Sequence, residues 1–122
     1  MQTILILTKD LMVQSSVSAV GRAEGLKIRA CRSASRLAER MVEEESVAGI
    51  FIDLQTPDLS MQELADVLSP EDASRSIAFA QHVEEQLLAD ANMPCIGKVL
   101  TRGQFSRGLA ELVADLLESD GR

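Results

Sequence analysis

Three side chains in this sequence stand where residue type and neighbours could do chemistry: Asp53, His82 and Arg102. Asp53 directly follows the apolar run Ala48 to Ile52, which the acidic run Glu43-Glu44-Glu45 precedes. Five apolar residues at that length fit a strand buried on both faces. Thr56-Pro57-Asp58 is turn chemistry, and Ser60 with Glu63 three residues later forms a capping box that opens the next helix. A carboxylate is thus held at the carboxyl edge of a buried strand, where open α/β sheets place their ligand sites. His82 is the only histidine, a residue type that could move a proton. Its loop has no nucleophilic Ser or Cys and no metal ligands, so it reads as a loop residue bonded to backbone. Arg102-Gly103 opens the last helix and offers a weak anion signal there. Ser60 and Ser106 read as helix-cap hydroxyls rather than nucleophiles.

The elements that must position these groups alternate along the chain. Thr3 to Leu7 is an apolar β-branched run and reads as the first strand, with Thr8-Lys9-Asp10 at its carboxyl end. A helix follows over Leu11 to Ala23 with Val13, Val17 and Val20 on one face, and Gly25 stops it. Leu26 to Ala30 alternates apolar and basic residues, as a half-exposed edge strand does. Ser33 or Ser35 caps a second helix with Leu37, Ala38, Met41 and Val42 at helical spacing, ending in the three glutamates, which read as a solvated face opposing the helix macrodipole. After the Ala48–Ile52 strand comes a helix with Met61, Leu64, Val67 and Leu68 inward, broken at Ser69-Pro70-Glu71-Asp72. Ser76 to Ala80 is a fourth strand. The next helix carries Val83, Leu87, Leu88 and Ala91 and ends at Met93-Pro94. Lys98 to Leu100 is a fifth strand, and the last helix presents Phe105, Leu109, Leu112, Val113 and Leu116 before a frayed tail from Ser119.

Five strands alternating with five helices give an α/β three-layer sandwich, a parallel sheet covered on both faces with right-handed crossovers. Residues 1–122 leave nothing over for a second domain. The expected core includes Ile4, Ile6, Ile50, Ile52, Phe79, Val99 and Leu112.

Bulk properties narrow the function. Apolar residues make up 46% and charged residues 25%, an ordinary globular balance. No apolar run approaches a membrane span, and Met1 to Leu7 is too short for a secretory signal and lacks its basic flank, so a cytoplasmic protein is expected. Cys31 and Cys95 belong to no metal-binding spacing and read as free thiols. A net charge of −7 argues against nucleic-acid binding. The chain has no Trp, no Tyr and only three Phe, so it has almost no stacking platform for bases or a flavin. Thr8-Lys9-Asp10-Leu11-Met12 lacks the Ser/Thr/Gly-rich phosphate loop of a flavodoxin, and there is no GxGxxG or P-loop.

The run Ile52-Asp53-Leu54-Gln55-Thr56-Pro57-Asp58 resembles the receiver domain of two-component response regulators, where an aspartate, three residues and a proline end the third strand. The resemblance spans nearly the whole chain in pattern and implies a flavodoxin-like (βα)5 fold with strand order 2-1-3-4-5. It makes Asp53 the phosphoacceptor equivalent. In receivers that chemistry needs a Mg²⁺ held by two acidic residues after the first strand, and those positions are Thr8 and Lys9 here, with Asp10 one residue late. The family's phosphoryl-sensing Ser or Thr falls on Ala80, its lysine on Arg102 (or on Thr101 if the register slips by one) and its following proline on Gly103. An arginine keeps that lysine's charge but not its geometry. The pattern is that of a degenerate receiver, a pseudo-receiver.

Lys9 or Arg102 is therefore expected to fill the metal's space and pair with Asp53, the alternative being that Lys9 points into solvent and Asp53 merely caps the Ser60 loop. The expected function is that of a stand-alone pseudo-receiver, not an enzyme. It would act by protein–protein contact in signal transduction, with no cofactor and no Mg²⁺-dependent aspartyl phosphorylation. By the resemblance, its partner or homodimer face runs from His82 to Leu117, with an acidic rim at Glu84, Glu85 and Asp90. The alternative is a phosphorylatable response regulator in a phosphorelay, using Asp53 as acceptor and Asp10 as metal ligand. A third class, a small enzyme or ligand-binding module, would need a molecule bound near Asp53 and Arg102.

Overall fold

The computed structural model describes residues 1–92, 94 and 96–120. Its elements run β1 (Thr3–Leu7), α1 (Leu11–Ala23), β2 (Lys27–Cys31), α2 (Ala34–Glu43), β3 (Val47–Asp53), α3 (Met61–Val67), α4 (Pro70–Ser74), β4 (Ser76–Ala80), α5 (Glu85–Asp90), β5 (Lys98–Thr101) and α6 (Arg102–Asp120). All the strand pairs are parallel, and the sheet order is β2-β1-β3-β4-β5, as expected. No described helix is long and apolar enough to cross a membrane.

Alternation along each strand sorts the core into two layers. Leu5, Leu7, Ile50, Ile52 and Ala78 face a layer with Leu37 of α2 and Leu64 of α3. Ile4, Ile6, Phe51, Ile77 and Phe79 face the other, with Val17 of α1 and Phe105, Leu109, Leu112 and Val113 of α6. This two-sided burial is why the central strands read as continuous apolar runs. All three phenylalanines meet in the second layer. Phe105 stacks on Phe79 at 4.1 Å between centroids and meets Phe51 edge-on at 5.2 Å.

Local chemistry sets most boundaries. Asp10 and Ser33 cap α1 and α2, and Gly25, at φ 77°, turns the chain after α1. The described residues form six helices where five were expected. Ser69-Pro70 does end the preceding helix, but Ser69 then accepts from Asp72 N–H and Pro70 takes the first helical position of α4. α5 has only six residues and begins after Val83, which was expected within the helix and is 66% exposed. Val42, in the last turn of α2, is also solvent-facing at 87%. Val99 is only partly buried, because β5 is an edge strand. α6 continues to Asp120, past the expected fraying at Ser119. The expectations for Met93, Cys95, Gly121 and Arg122 fall outside the described residues.

The acidic run after α2 is not simply a solvated face. The Glu44 side chain is 6% exposed and accepts from Thr3 Oγ1 at 3.0 Å and Arg29 Nη1 at 3.1 Å, with Lys27 Nζ at 2.9 Å. The outward basic residues of the edge strand β2 thus clamp the end of α2 onto the sheet. The Lys27 hydrogen bond chiefly holds the Glu44 carboxyl below its usual 4.5, with Thr3 and Arg29 adding to this and burial opposing it. A depressed folded-state pKa stabilises above the unfolded value, and that contribution is lost as the pH falls through the folded value. Glu44→Gln is therefore expected to be less stable than the parent at neutral pH. The gap should narrow as the pH drops below 4.5, as read from urea midpoints across that range.

Candidate functional site: the carboxyl edge of the sheet

The parallel register of β1 on β3 pairs Leu7 with Ile52, so the next residues, Thr8 and Asp53, leave the sheet side by side. Both are buried, with Asp53 4% exposed and Thr8 1%. The Thr8 hydroxyl donates to Asp53 Oδ2 at 2.8 Å and accepts from the Asp10 amide at 3.0 Å. The Gln55 amide donates to Asp53 Oδ1 at 3.0 Å, an Asx-type turn that starts the loop after β3. The Asp53 carbonyl accepts from both the amide and the hydroxyl of Thr56, at 3.1 and 2.7 Å. Thr56 to Leu59 closes a β-turn with Pro57 second and Asp58 third, where Asp58 takes φ 66°. A buried carboxylate needs donors on its oxygens, and here a hydroxyl and a backbone amide supply them.

This arrangement corrects the expected cation pair. Among the described residues no Lys or Arg head lies within ion-pair distance of the Asp53 carboxylate. Lys9 is exposed. Arg102, the first residue of α6, pairs instead with Asp10, the N-cap of α1. α1 and α6 lie side by side on one face of the sheet, so their first turns meet before Arg102 can reach Asp53. Asp10 has no oxygen left uncommitted: Oδ1 accepts from the Met12 and Val13 amides at 2.9 and 3.3 Å, and Oδ2 from Arg102. The Val13 amide first, then the Arg102 guanidinium, hold the Asp10 carboxyl below its usual 3.8.

The remaining predicted positions gather at the same edge. Ala80 is fully buried, offers no hydroxyl and lies in register with Thr101. Thr101 and Gln104 close a reciprocal cap on α6: Gln104 N–H donates to Thr101 Oγ1 at 3.2 Å and Thr101 N–H to Gln104 Oε1 at 2.9 Å. Thr101, not Ser106, is therefore the cap; Ser106 is exposed in the body of α6. Ser60 caps α3 as expected, through Glu63 N–H. His82 is exposed in the loop after β4. Sequence reading missed Gln55, whose Oε1 accepts from the Gln81 amide at 2.8 Å and ties the loops after β3 and β4 together. Cys31 is a free buried thiol, pushed up to about 12 by desolvation.

Mg²⁺ takes hard oxygen donors in near-octahedral geometry. The candidate donors at this edge are Asp53 and Asp10, and both carboxylates are committed to internal donors, while Lys9 beside them is a cation. Among the described residues no three His, Cys, Asp or Glu gather into a group suited to a metal ion. The residues present do not fit a divalent cation.

No family model and no curated protein matches the chain. Solved structures do. The receiver domain of the TMAO respiratory system response regulator TorR superposes with a TM-score of 0.80 at 18% identity, covering 98% of this chain and 99% of that one. The chain has the fold of a response-regulator receiver domain. A receiver domain protein from Clostridium thermocellum gives 0.77 at 15% identity, over 99% and 98% of the two chains. A putative response regulator from Chloroflexus aurantiacus gives 0.74 at 15%, over 98% of each. Within this fold Asp53 stands at the end of β3 and Pro57 four residues later, in a hydrogen-bond network built from Thr8, Gln55 and Thr56.

Proposed function

We propose that residues 1–122 form one pseudo-receiver unit that acts in cytoplasmic signal transduction by protein–protein contact, without catalysis and without Mg²⁺-dependent aspartyl phosphorylation. The observation that carries this reading is the commitment of the Asp53 carboxylate to the Thr8 hydroxyl and the Gln55 amide. Aspartyl phosphorylation needs a carboxylate oxygen free to attack and a cation to neutralise the phosphoryl oxygens. Here Asp53 Oδ2 already bonds a neighbouring side chain, and the nearest second acid, Asp10, is spent on α1 and Arg102. Asp53 then acts as a pin between β1 and the loop after β3. The partner or homodimer face is the region from His82 to Leu117, in which Val83 is exposed and Leu87 and Leu100 are half-buried.

One observation favours the second reading, a phosphorylatable regulator in a phosphorelay: Asp53 and Pro57 keep the receiver spacing at the end of β3. Incubation with acetyl phosphate and Mg²⁺, followed by intact-mass measurement, separates the two. No phosphoryl increment is expected. A labile adduct that disappears in Asp53→Ala would replace the pseudo-receiver with the phosphorylatable form.

A further inference from the structure

The loop after β4 and the start of α6 enclose an open notch of about 550 Å³ lined by Gln81, His82, Val83, Thr101, Arg102, Gly103 and Arg107. Its charge is opposite to that of the chain. The whole sequence carries −7, yet the titratable groups lining this notch are two arginines and the only histidine. Arg102 is balanced by Asp10. Arg107 is not: among the described residues it makes no ion pair, although Glu111 lies four residues on, the usual helical partner. Its guanidinium instead folds back along Gly103, where even a Cβ would stand only 3.1 Å from Nη1. The α6 amides are not the attraction, since Thr101 and Gln104 already close the cap. The first turn of α6 holds no acid to offset its cations. Val83, 66% exposed, adds an apolar wall to the same notch.

We propose that this notch is the contact point for an acidic peptide segment of the partner, a Glu or Asp side chain taken by Arg107 with a neighbouring apolar side chain against Val83. The proposal rests on the protein-contact reading above and names the chemistry of the partner. Charge complementarity at the notch works against the net charge of the molecule, because a chain at −7 repels an acidic peptide overall. Any such binding is therefore local.

The test uses the full chain and a short fluorescent peptide of alternating Glu and Leu, with a Gln/Leu peptide of the same length as control, read by anisotropy. The Glu/Leu peptide should bind, and Arg107→Glu should weaken it about tenfold, or about 1.4 kcal/mol. Arg32→Glu makes the same charge change at an exposed site in the β2–α2 loop and should leave binding within about twofold. Equal weakening by both variants, equal affinity for the Gln/Leu peptide, or no binding of the Glu/Leu peptide would each overturn the proposal. Failure of the underlying reading looks different. A chain labelled at Asp53 by acetyl phosphate that still binds through Arg107 overturns the pseudo-receiver and leaves the notch. An unlabelled chain whose peptide binding ignores Arg107 does the reverse.

Discussion

Phe105→Ala is expected to lower the unfolding free energy by about 3–5 kcal/mol. Phe105 is 3% exposed and sits between the sheet and α6, stacked on Phe79 and edge-on to Phe51. Removing it leaves a cavity that Leu109 and Val113, fixed on the same rigid helix, cannot close. It also removes both aromatic pairs, each worth about 0.5–1.5 kcal/mol beyond area burial. The chain has no Trp or Tyr that could take over. A domain of this size has about 5–15 kcal/mol in total, so the variant should be marginal at room temperature. Urea unfolding measures the loss, and Phe105→Leu, which keeps most of the volume, should recover more than half of it. A deficit under about 2 kcal/mol for the alanine variant would mean the aromatic cluster is not the anchor of that layer.

Thr8→Val is the second large effect, at about 1–3 kcal/mol. The swap is close to isosteric, so packing changes little. It removes the hydroxyl that serves Asp53 Oδ2 and accepts from the Asp10 amide. The Asp53 carboxylate, 4% exposed, is then short of a donor. An unsatisfied buried acceptor costs its full desolvation penalty, which is why the loss exceeds the net worth of an ordinary hydrogen bond. The cost should shrink when the charge is gone. In an Asp53→Asn background, Thr8→Val should cost clearly less, and the double-mutant cycle reads that coupling directly. Additive effects of the two substitutions would show that the hydroxyl and the carboxylate act independently.

These two sites differ in how far the sequence foretold them. The apolar runs Thr3–Leu7 and Ala48–Ile52, a cap at Ser33 or Ser35, the stop at Gly25 and the position of Asp53 are local signals, whereas the strand order came from the receiver resemblance and not from the alternation of elements. The partner of Asp53 was not local. It depends on the register of β1 against β3, which puts Thr8 beside Asp53, and on where α6 begins, which sends Arg102 to Asp10. Lys9 and Arg102 looked like natural partners because charge is visible in a sequence and register is not. The exposure of Val83 comes from where α5 begins. Helical period places a residue on a face only while the helix lasts, and Val83 precedes the first turn of α5. Glu44 looked like one solvated acid among three until the edge strand brought Lys27 and Arg29 against it.

The burial of Cys31 sets when this fold can be read from outside. Its thiol lies 3% exposed at the end of β2, against the Ile6 carbonyl, and is held almost wholly protonated at neutral pH. A thiolate is the reactive form, and an alkylating reagent needs contact with the sulfur. The folded chain denies both, so the reagent must wait for β2 to leave β1. In a Cys95→Ser background, the rate at which Cys31 is alkylated becomes a clock for the opening of the sheet at that edge. Its limit under excess reagent is the opening rate itself, and at low reagent it reports the opening free energy.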